Sequence, residues 1–390
     1  MPTVFAPALP SDFSEAESPR VSSSPFMLKL PPDQMPRAIS GNYRVEVVDG
    51  LRGVAVLLVV AYHYFSRWPD LYPFGKAFVD VEPAASGFVG VYLFFIVSGF
   101  VIARSLSSSR TFLDFAAKRM DRLVLPMVVL SSISFFLLSG PLQTSGLEQR
   151  WANFLPSWTF SPPAIWKFVD PEIDYIDGVY WTLFVEVRFY FVIALIWFLG
   201  PQKHALTIFA GCAALAPAVY WALLGTDGPA TAFNLMFFPS YAALFAAGAL
   251  YYKVFAVSAG RVDIALLVLL IPVSSAAPLL DSAPDKVAPT LVWCALFHAV
   301  FLSLAFRLRW VVIFSGRSLV WIGLVSYSLY LLHQNIGVAL IARIPSSLPP
   351  AWQLVAVAMV TGVLTAVAAC SWFLIERRRL FSGCLKLAHR

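Results

Sequence analysis

The stretch RGVAVLLVVAYH, from Arg52 to His63, decides how this chain folds. Ten almost wholly apolar residues separate an arginine from a histidine, and the run widens to 49–66, close to the ~20 apolar residues that a membrane-spanning helix needs. In a helix the two side chains fall on nearly the same face, about 16 Å apart. That face offers an anion-binding group at one surface and a possible base deeper in. Alternatively, Arg52 is only an interfacial anchor and His63 only bonds a carbonyl.

Composition supports a membrane fold for the whole chain. Of its 390 residues, 59% are hydrophobic and 13% are charged, and the mean hydropathy is +0.74. A soluble domain has roughly 25% charged residues. We therefore predict an all-α integral membrane protein with about ten transmembrane helices. The candidate spans are 49–66, 86–105, 123–140, 180–199, 204–224, 234–252, 263–280, 288–306, 318–342 and 351–375.

The distribution of basic residues predicts the orientation. With the N-terminus in the cytosol, most of the 28 lysines and arginines lie in inside segments, as the positive-inside rule requires. Both termini are then cytosolic, and the net charge of +6 reflects topology rather than nucleic-acid binding. The few basic residues on the outside are Arg67, Lys76, Arg150, Lys167, Lys286 and Arg343.

Three segments make up the predicted chain. Residues 1–42 are rich in Pro and Ser and are expected to form a disordered cytosolic tail. Residues 43–380 form the membrane domain, in which 109–122 resembles an amphipathic interfacial helix. Residues 381–390 form a basic cytosolic tail. The four scattered cysteines show no metal-ligand spacing, so no metal site is expected.

Ionisable side chains inside a bilayer cost roughly 2.5–3.5 kcal/mol and are functional candidates. Thr182, Glu186 and Tyr190 have helical i, i+4 spacing and form one polar stripe. We expect Glu186 at a depth similar to that of His63, where its carboxylate would orient the imidazole and stabilise its cation. Arg188 faces elsewhere and needs its own phosphate or carboxylate partner. The alternative is a buried Glu186–Arg188 network that only locks helices.

A third helix carries Ser326, Tyr330 and His333 on one face, again at the outer depth predicted for His63. Polar groups from three helices thus converge, although His333 alone would be explained by hydrogen bonding between helices. His298 lacks polar neighbours in the sequence, and we interpret it as a core residue.

A basic cluster lies at the predicted cytosolic surface. Lys118, Arg119 and Arg122 are placed to bind phosphates of a nucleotide-like ligand, or alternatively lipid headgroups. Ser98 precedes a glycine near the same surface, which permits close helix packing or ligand approach.

Six motifs in order resemble those of the acyltransferase 3 family, and the resemblance covers about residues 44–380. The most specific are the Arg-x10-His spacing of Arg52 and His63 and the run WTLFVEVRFY. One departure is that Gln334-Asn335 follows His333, where the family often has an aromatic residue and a proline. The six motifs are VVDGLRGVAVLLVVAYH, GVYLFFIVSGFVIARSL, KRMDRLVLP, WTLFVEVRFY, YSLYLLHQNI and SWFLIERRRL.

The resemblance implies a multi-spanning O-acyltransferase of the bacterial inner membrane. It would move an acyl group, commonly acetyl, from cytosolic acyl-CoA to a hydroxyl of a surface glycan such as exopolysaccharide, lipopolysaccharide or peptidoglycan. Acyl-CoA would be a co-substrate, with no permanently bound cofactor. His63 would be the catalytic base and Glu186 its partner. Acyl-CoA would contact Arg52, Lys118, Arg119, Arg122 and Ser98, and supporting or acceptor-side residues would be Trp181, Thr182, Arg188, Tyr190, Tyr330 and His333.

A second hypothesis comes from another class of protein. A proton-coupled transporter of a glycolipid or small acid would use His63, Glu186 and His333 as its proton relay. The paired cytosolic arginines and the family motifs favour the enzyme.

Overall fold

The computed structural model describes residues 46–144, 146–378 and 381, and within them every regular element is helical. The predicted tails, 1–42 and 381–390, lie outside the described residues apart from Phe381. The α-helices are α1 (Glu46–Phe65), α2 (Gly90–Ser107), α3 (Phe112–Ser139), α4 (Phe154–Thr159), α5 (Trp181–Leu199), α6 (Gln202–Leu223), α7 (Asp227–Phe237), α8 (Pro239–Ala256), α9 (Arg261–Ala276), α10 (Val287–Ala305), α11 (Arg317–His333), α12 (Asn335–Ile341) and α13 (Pro350–Ser371).

Nine helical stretches in the described part of the chain are long and apolar enough to cross a membrane. A tenth forms if the pair Arg309–Ser315 and Arg317–His333, bent by 60°, is counted as one span. The prediction of an all-α membrane protein with about ten spans is therefore confirmed, while the orientation of the termini stays a prediction. The span that includes α2 is the most buried in the bundle, and the span that includes α13 is the least.

The prediction of a separate interfacial helix at 109–122 is wrong. Thr111 caps α3 by accepting a hydrogen bond from the Asp114 backbone N–H at 3.1 Å. From there one helix of 28 residues continues through the third span to Ser139. No glycine or proline lies where the amphipathic segment meets the apolar one, and the helix continues through Pro126 inside the apolar segment.

Two predicted spans are interrupted. The span at 234–252 contains a break at Phe238, which has a φ of 40°, because a residue before proline disfavours the right-handed helical region. The span at 318–342 ends its first helix at His333, and a short helix begins at Asn335. Both breaks lie beside residues of the candidate site.

Glycines allow the central helices to touch backbone to backbone. A Cβ atom on Gly323 of α11 would lie 1.7 Å from the Asp49 carbonyl oxygen of α1. At the α2–α8 crossing, a Cβ on Gly99 would lie 2.0 Å from the Phe245 carbonyl oxygen. Only glycine permits these approaches, which are typical of helix packing in membranes. They fix α1, α2, α8 and α11 around the site.

Candidate active site

A cavity of about 660 Å³ lies between α1, α2, α3, α5 and α11. Its lining is mostly apolar with a few placed polar groups, as is typical of small-molecule pockets. The predicted stripe of α5 lines it, as do Ser326 and Tyr330 of α11. The polar lining residues are Arg52, Ser98, Arg119, Arg122, Thr182, Glu186, Tyr190, Ser326, Tyr327 and Tyr330.

The Glu186 carboxylate sits in the wall of this cavity. Its Oε1 atom accepts a hydrogen bond from Ser98 Oγ at 2.7 Å and a second from the Tyr190 hydroxyl. The prediction that Glu186 orients His63 is therefore wrong, because the α2 side chain and its own helix supply the partners of the carboxylate. Ser98 lines the cavity, and its hydroxyl holds Glu186, so its contact with acyl-CoA stays a prediction.

Three arginines form the basic part of the cavity, all of them named by the sequence. Arg119 is notable because its Nε and Nη1 atoms are buried without a hydrogen-bond partner among the described residues. Its guanidinium lies 5.9 Å from the ring centres of both Phe115 and Tyr190. Buried donors normally have partners, and a guanidinium pairs best with phosphate or carboxylate. Two guanidinium donors of Arg119 are therefore unsatisfied in the wall of the cavity.

Glu376 is a site residue that sequence reasoning missed. It accepts a hydrogen bond from Ser328 Oγ at 2.6 Å, and its carboxylate is close enough to interact electrostatically with Arg52 and Arg122. The motif SWFLIERRRL contains it, but the sequence does not show that the segment after α13 packs against α3 and α11. Arg52 and Arg122 therefore interact with the carboxylate of Glu376, and Arg119 interacts with that of Glu186.

His63 and His333 contact each other directly. His63 Nδ1 lies 2.9 Å from the Val59 carbonyl oxygen and 3.1 Å from His333 Nε2, and His333 Nδ1 lies 2.8 Å from the Tyr330 carbonyl oxygen. A carbonyl can only accept, so the Nδ1 atom of each neutral imidazole must carry the proton. The single His63 Nδ1–H is then shared between the Val59 carbonyl oxygen and His333 Nε2. Hydrogen bonding thus assigns the free lone pair to His63 Nε2.

Tyr330 lies between this histidine pair and the cavity. Its hydroxyl is 2.9 Å from Thr182 Oγ1, and its ring centre is 5.3 Å from that of His333. His63 is half-buried on the side of Tyr330 that faces away from the cavity. Its ring centre lies 5.2 Å from that of Tyr62 and 5.6 Å from that of Trp68. The predicted convergence of α1, α5 and α11 is present, with Tyr330 as the link.

Three other predicted site residues lie away from the cavity lining. Lys118 forms an ion pair with Asp114 at 2.9 Å, so the prediction that it contacts the donor is not supported by its position. Trp181 packs its ring 5.4 Å from that of Tyr241. Arg188 is the third of these residues, and an anionic partner for it stays a prediction.

Arg188 holds the end of a helix with one of its guanidinium nitrogens. Its Nη1 atom donates to the carbonyl oxygens of Asn234 and Leu235 at 3.0 and 2.6 Å. These carbonyls lie in the last turn of α7, next to the break at Phe238, whose backbone N–H also donates to the Asn234 carbonyl oxygen at 3.1 Å. Arg188 therefore stabilises the broken span.

A second missed feature holds the break at Gln334 in place. Asp177 accepts hydrogen bonds from the backbone N–H groups of Asn335 and Val179 at 2.8 and 3.1 Å. The Asn335 side-chain amide donates to the Ile176 carbonyl oxygen at 3.0 Å. Burial raises the pKa of the Asp177 carboxyl to about 7. The segment before α5 is thereby tied to the helix end that carries His333.

Comparisons with known proteins identify the family of this chain. A family model described as an acyltransferase domain matches residues 45–374. An O-acetyl transferase of Shigella phage Sf6 is 29% identical over 37% of this chain and 43% of its own length. A peptidoglycan O-acetyltransferase of Listeria monocytogenes, OatA, is 27% identical over 47% of this chain and 30% of its own length.

A putative membrane-bound transacylase of Komagataeibacter xylinus, BcsY, is 26% identical over 48% of this chain and 46% of its own length. The chain thus matches less than half the length of each of these relatives, and no solved structure matches it. Because the family model covers most of the chain, including the cavity and both histidines, this protein belongs to the acyltransferase 3 family.

Proposed function

We propose that this protein is a membrane O-acyltransferase that moves an acyl group, acetyl by the names of its relatives, from cytosolic acyl-CoA to a hydroxyl of a surface glycan. Membership of the family supports the reaction class. The relatives named as O-acetyltransferases support transfer to oxygen. A multi-span protein with this reaction belongs in the bacterial inner membrane, where the cytosolic donor and the exported acceptor meet.

The observation that carries this proposal is the anion site inside the cavity. Arg119 presents two buried, unpartnered guanidinium nitrogens, with Arg52 and Arg122 in the same wall. A phosphate group of acyl-CoA satisfies those donors by charge-assisted hydrogen bonds. The pantetheine arm then extends through the cavity toward Tyr330, which places the thioester on the side of the histidine pair.

In the proposed reaction, His63 Nε2 accepts the proton of the acceptor hydroxyl while the hydroxyl oxygen bonds to the thioester carbonyl carbon. The carbon–sulfur bond breaks, and the CoA sulfur takes the proton from His63 as it leaves. His333 Nε2 accepts from His63 Nδ1–H throughout and stabilises the imidazolium that forms. Glu186, held by Ser98 and Tyr190, shapes the cavity wall and does not touch this pair.

The test uses membranes of a strain that lacks the gene, supplied with either the wild-type protein or the His63→Ala variant. Wild-type membranes given labelled acetyl-CoA are expected to release CoA and to label a surface glycan. The variant should insert normally and lose the signal by about 10²- to 10⁴-fold, the usual contribution of a positioned base. Full activity of His63→Ala contradicts the assignment, and flux of a solute without CoA release indicates a transporter.

A further inference from the structure

Three aromatic rings form a platform beside the imidazole of His63. Its ring centre lies 5.2 Å from that of Tyr62 and 5.6 Å from that of Trp68. Phe88 extends the platform, with its ring centre 5.7 Å from that of Tyr62. The Tyr72 hydroxyl fixes the arrangement, because it accepts from the Trp68 backbone N–H at 2.9 Å and donates to the His63 carbonyl oxygen at 2.8 Å. The three rings of the platform are half-buried, so part of each is accessible.

Two basic side chains lie on the aromatic platform. The Lys286 Nζ atom is 5.0 Å from the ring centre of Phe88 and 5.8 Å from that of Tyr62. The Arg67 Cζ atom is 5.4 Å from the ring centre of Trp68. Its charge is also close enough to interact electrostatically with the imidazole. Each cation is therefore separated from the proposed base by one aromatic ring.

The platform and its cations lie at one end of the bundle. Arg67 follows the C-terminal end of α1, whereas Phe88 and Lys286 come just before the N-terminal ends of α2 and α10. The orientation predicted from the basic residues places this end on the outside, where we propose that the acceptor arrives. The two cations are thus on the acceptor side of the base, apart from the arginines that line the cavity.

Both cations are available to a ligand. Within the described part of the chain, neither Arg67 nor Lys286 forms an ion pair with a carboxylate, whereas Arg150 pairs with Asp170 and Glu172. Arg67 is exposed and Lys286 is half-buried. The face of an aromatic ring attracts a cation without accepting all of its N–H groups, so donors remain free on both side chains.

We propose that the platform binds an anionic sugar of the acceptor, and that Arg67 and Lys286 pair with its carboxylate or phosphate. This proposal deepens the proposed function and rests on it. The C–H face of a sugar ring is apolar and packs on an aromatic ring, which leaves a hydroxyl at the edge of the sugar free to reach His63 Nε2. The anion on the same sugar, or on the adjoining one, then forms charge-assisted hydrogen bonds with the cations.

The charge change at the base also favours an anionic sugar. In the proposed reaction His63 becomes an imidazolium, and the nearby positive charge of Arg67 disfavours that form. A neutral sugar would leave this repulsion in place. A carboxylate or phosphate paired with Arg67 offsets it, so the acceptor itself supplies the charge that the site lacks.

The experiment complements the strain that lacks the gene with the full-length wild-type protein. Surface glycan is purified with and without the gene, and NMR locates the O-acetyl groups that depend on it. We expect them on a sugar that bears a carboxylate or phosphate, or on the sugar linked to it, and composition analysis tells the two anions apart. Acetyl groups confined to neutral sugars without an anionic neighbour overturn the proposal.

Variants test the cations in membranes given labelled acetyl-CoA. Lys286→Met and Arg67→Gln should each lower the rate of glycan labelling about 2- to 5-fold, and the double variant about 4- to 25-fold, as for one and two exposed ion pairs. Lys286→Arg should retain the rate, whereas Lys286→Glu should lower it further than Lys286→Met. Lys167→Glu is the matched control, because it changes the net charge equally on an exposed side chain of the loop before α5.

Added salt separates recognition of an anion from a structural role of the cations. Salt screens exposed charges, so it should lower the labelling rate of the wild type and have less effect on the double variant of Arg67 and Lys286. Cations that only hold the rings would give the same salt dependence in both proteins. That result, or an unchanged rate in Lys286→Glu, overturns the proposal and leaves lipid headgroups as the partners of the cations.

The failure of this proposal is distinguishable from failure of the proposed function. If no O-acetyl group depends on the gene, the function fails. If acetylation depends on the gene and on His63 but is insensitive to both cations, the function stands and the acceptor class is wrong. The KM for acetyl-CoA should stay within about twofold in the variants of Arg67 and Lys286, since these affect only the acceptor.

Discussion

Replacing His333 by alanine is expected to slow acyl transfer without weakening donor binding. His333 lies 3.1 Å from His63 Nδ1 and does not line the cavity that holds the arginines. The variant removes one hydrogen-bond acceptor from the His63 ring, which becomes cationic during the proposed reaction. A hydrogen bond to a charged group contributes about 1.5–3 kcal/mol, which corresponds to a rate loss of about 10- to 150-fold.

The Val59 carbonyl oxygen limits the loss of rate in His333→Ala. It remains 2.9 Å from His63 Nδ1 and still requires a proton there, so the tautomer with a free Nε2 survives the substitution. The loss is therefore smaller than the ~10⁴-fold drop seen when a triad histidine changes tautomer. His333→Gln can present an amide oxygen to the same proton and should recover part of the rate.

The assay is CoA release from acetyl-CoA in membranes, with maximal rate and KM measured separately. We expect the maximal rate to fall and the KM for acetyl-CoA to stay within about twofold, since only transition-state stabilisation is lost. His298→Ala is the matched control, because His298 is equally buried but bonds Tyr251 and Ser274 at 2.9 and 2.8 Å. An unchanged rate in His333→Ala, or a loss as complete as that of His63→Ala, refutes the positioning role.

Three further substitutions test other parts of the structure. Arg119→Gln should raise the KM for acetyl-CoA about 10- to 100-fold, because its charge-assisted hydrogen bonds to the phosphates are lost. A higher KM for Arg119→Lys as well would show that the fork geometry of the guanidinium matters. If neither variant changes the KM, the phosphates bind elsewhere. Gly323→Ala should lower the melting temperature in detergent, because overpacking costs about 1–3 kcal/mol or more, while Gly211→Ala, where an added Cβ meets nothing within 4 Å, is neutral. Lys253→Met should lower the free energy of unfolding by about 3–5 kcal/mol, because Asp263 loses the partner that lies 2.8 Å away. The double variant with Asp263→Leu should recover much of that loss in stability.

The sequence is sufficient to locate the helices and their polar faces. A bilayer demands long apolar runs, so the spans stand out by composition. Helical spacing alone places Thr182, Glu186 and Tyr190 on one stripe, and all three line the cavity. The break at Phe238 was also predictable in principle, because Pro239 follows it.

The pairing of side chains between helices was not predictable. Glu186 was predicted as the partner of His63 because the two residues were expected at a similar depth in the membrane. A similar depth does not determine which neighbouring helix the polar stripe of α5 faces. The glycine contact between α2 and α8 brings α2 against the site, and Ser98 of α2 occupies the position beside Glu186. The partner of His63 is instead His333 of α11. Gly323 allows α11 to pack closely against α1.

The end of α11 explains how the histidine pair acquires its proton arrangement. The last carbonyls of a helix have no intrahelical donor, and Tyr330 lies in that last turn because the helix ends at His333. Its carbonyl is therefore free to accept from His333 Nδ1, which leaves Nε2 as the acceptor for His63. Asp177 and Asn335 keep the break in place from the other side. The helix break, which the sequence reading treated as part of one span, thus sets which nitrogen of His63 can act as the base.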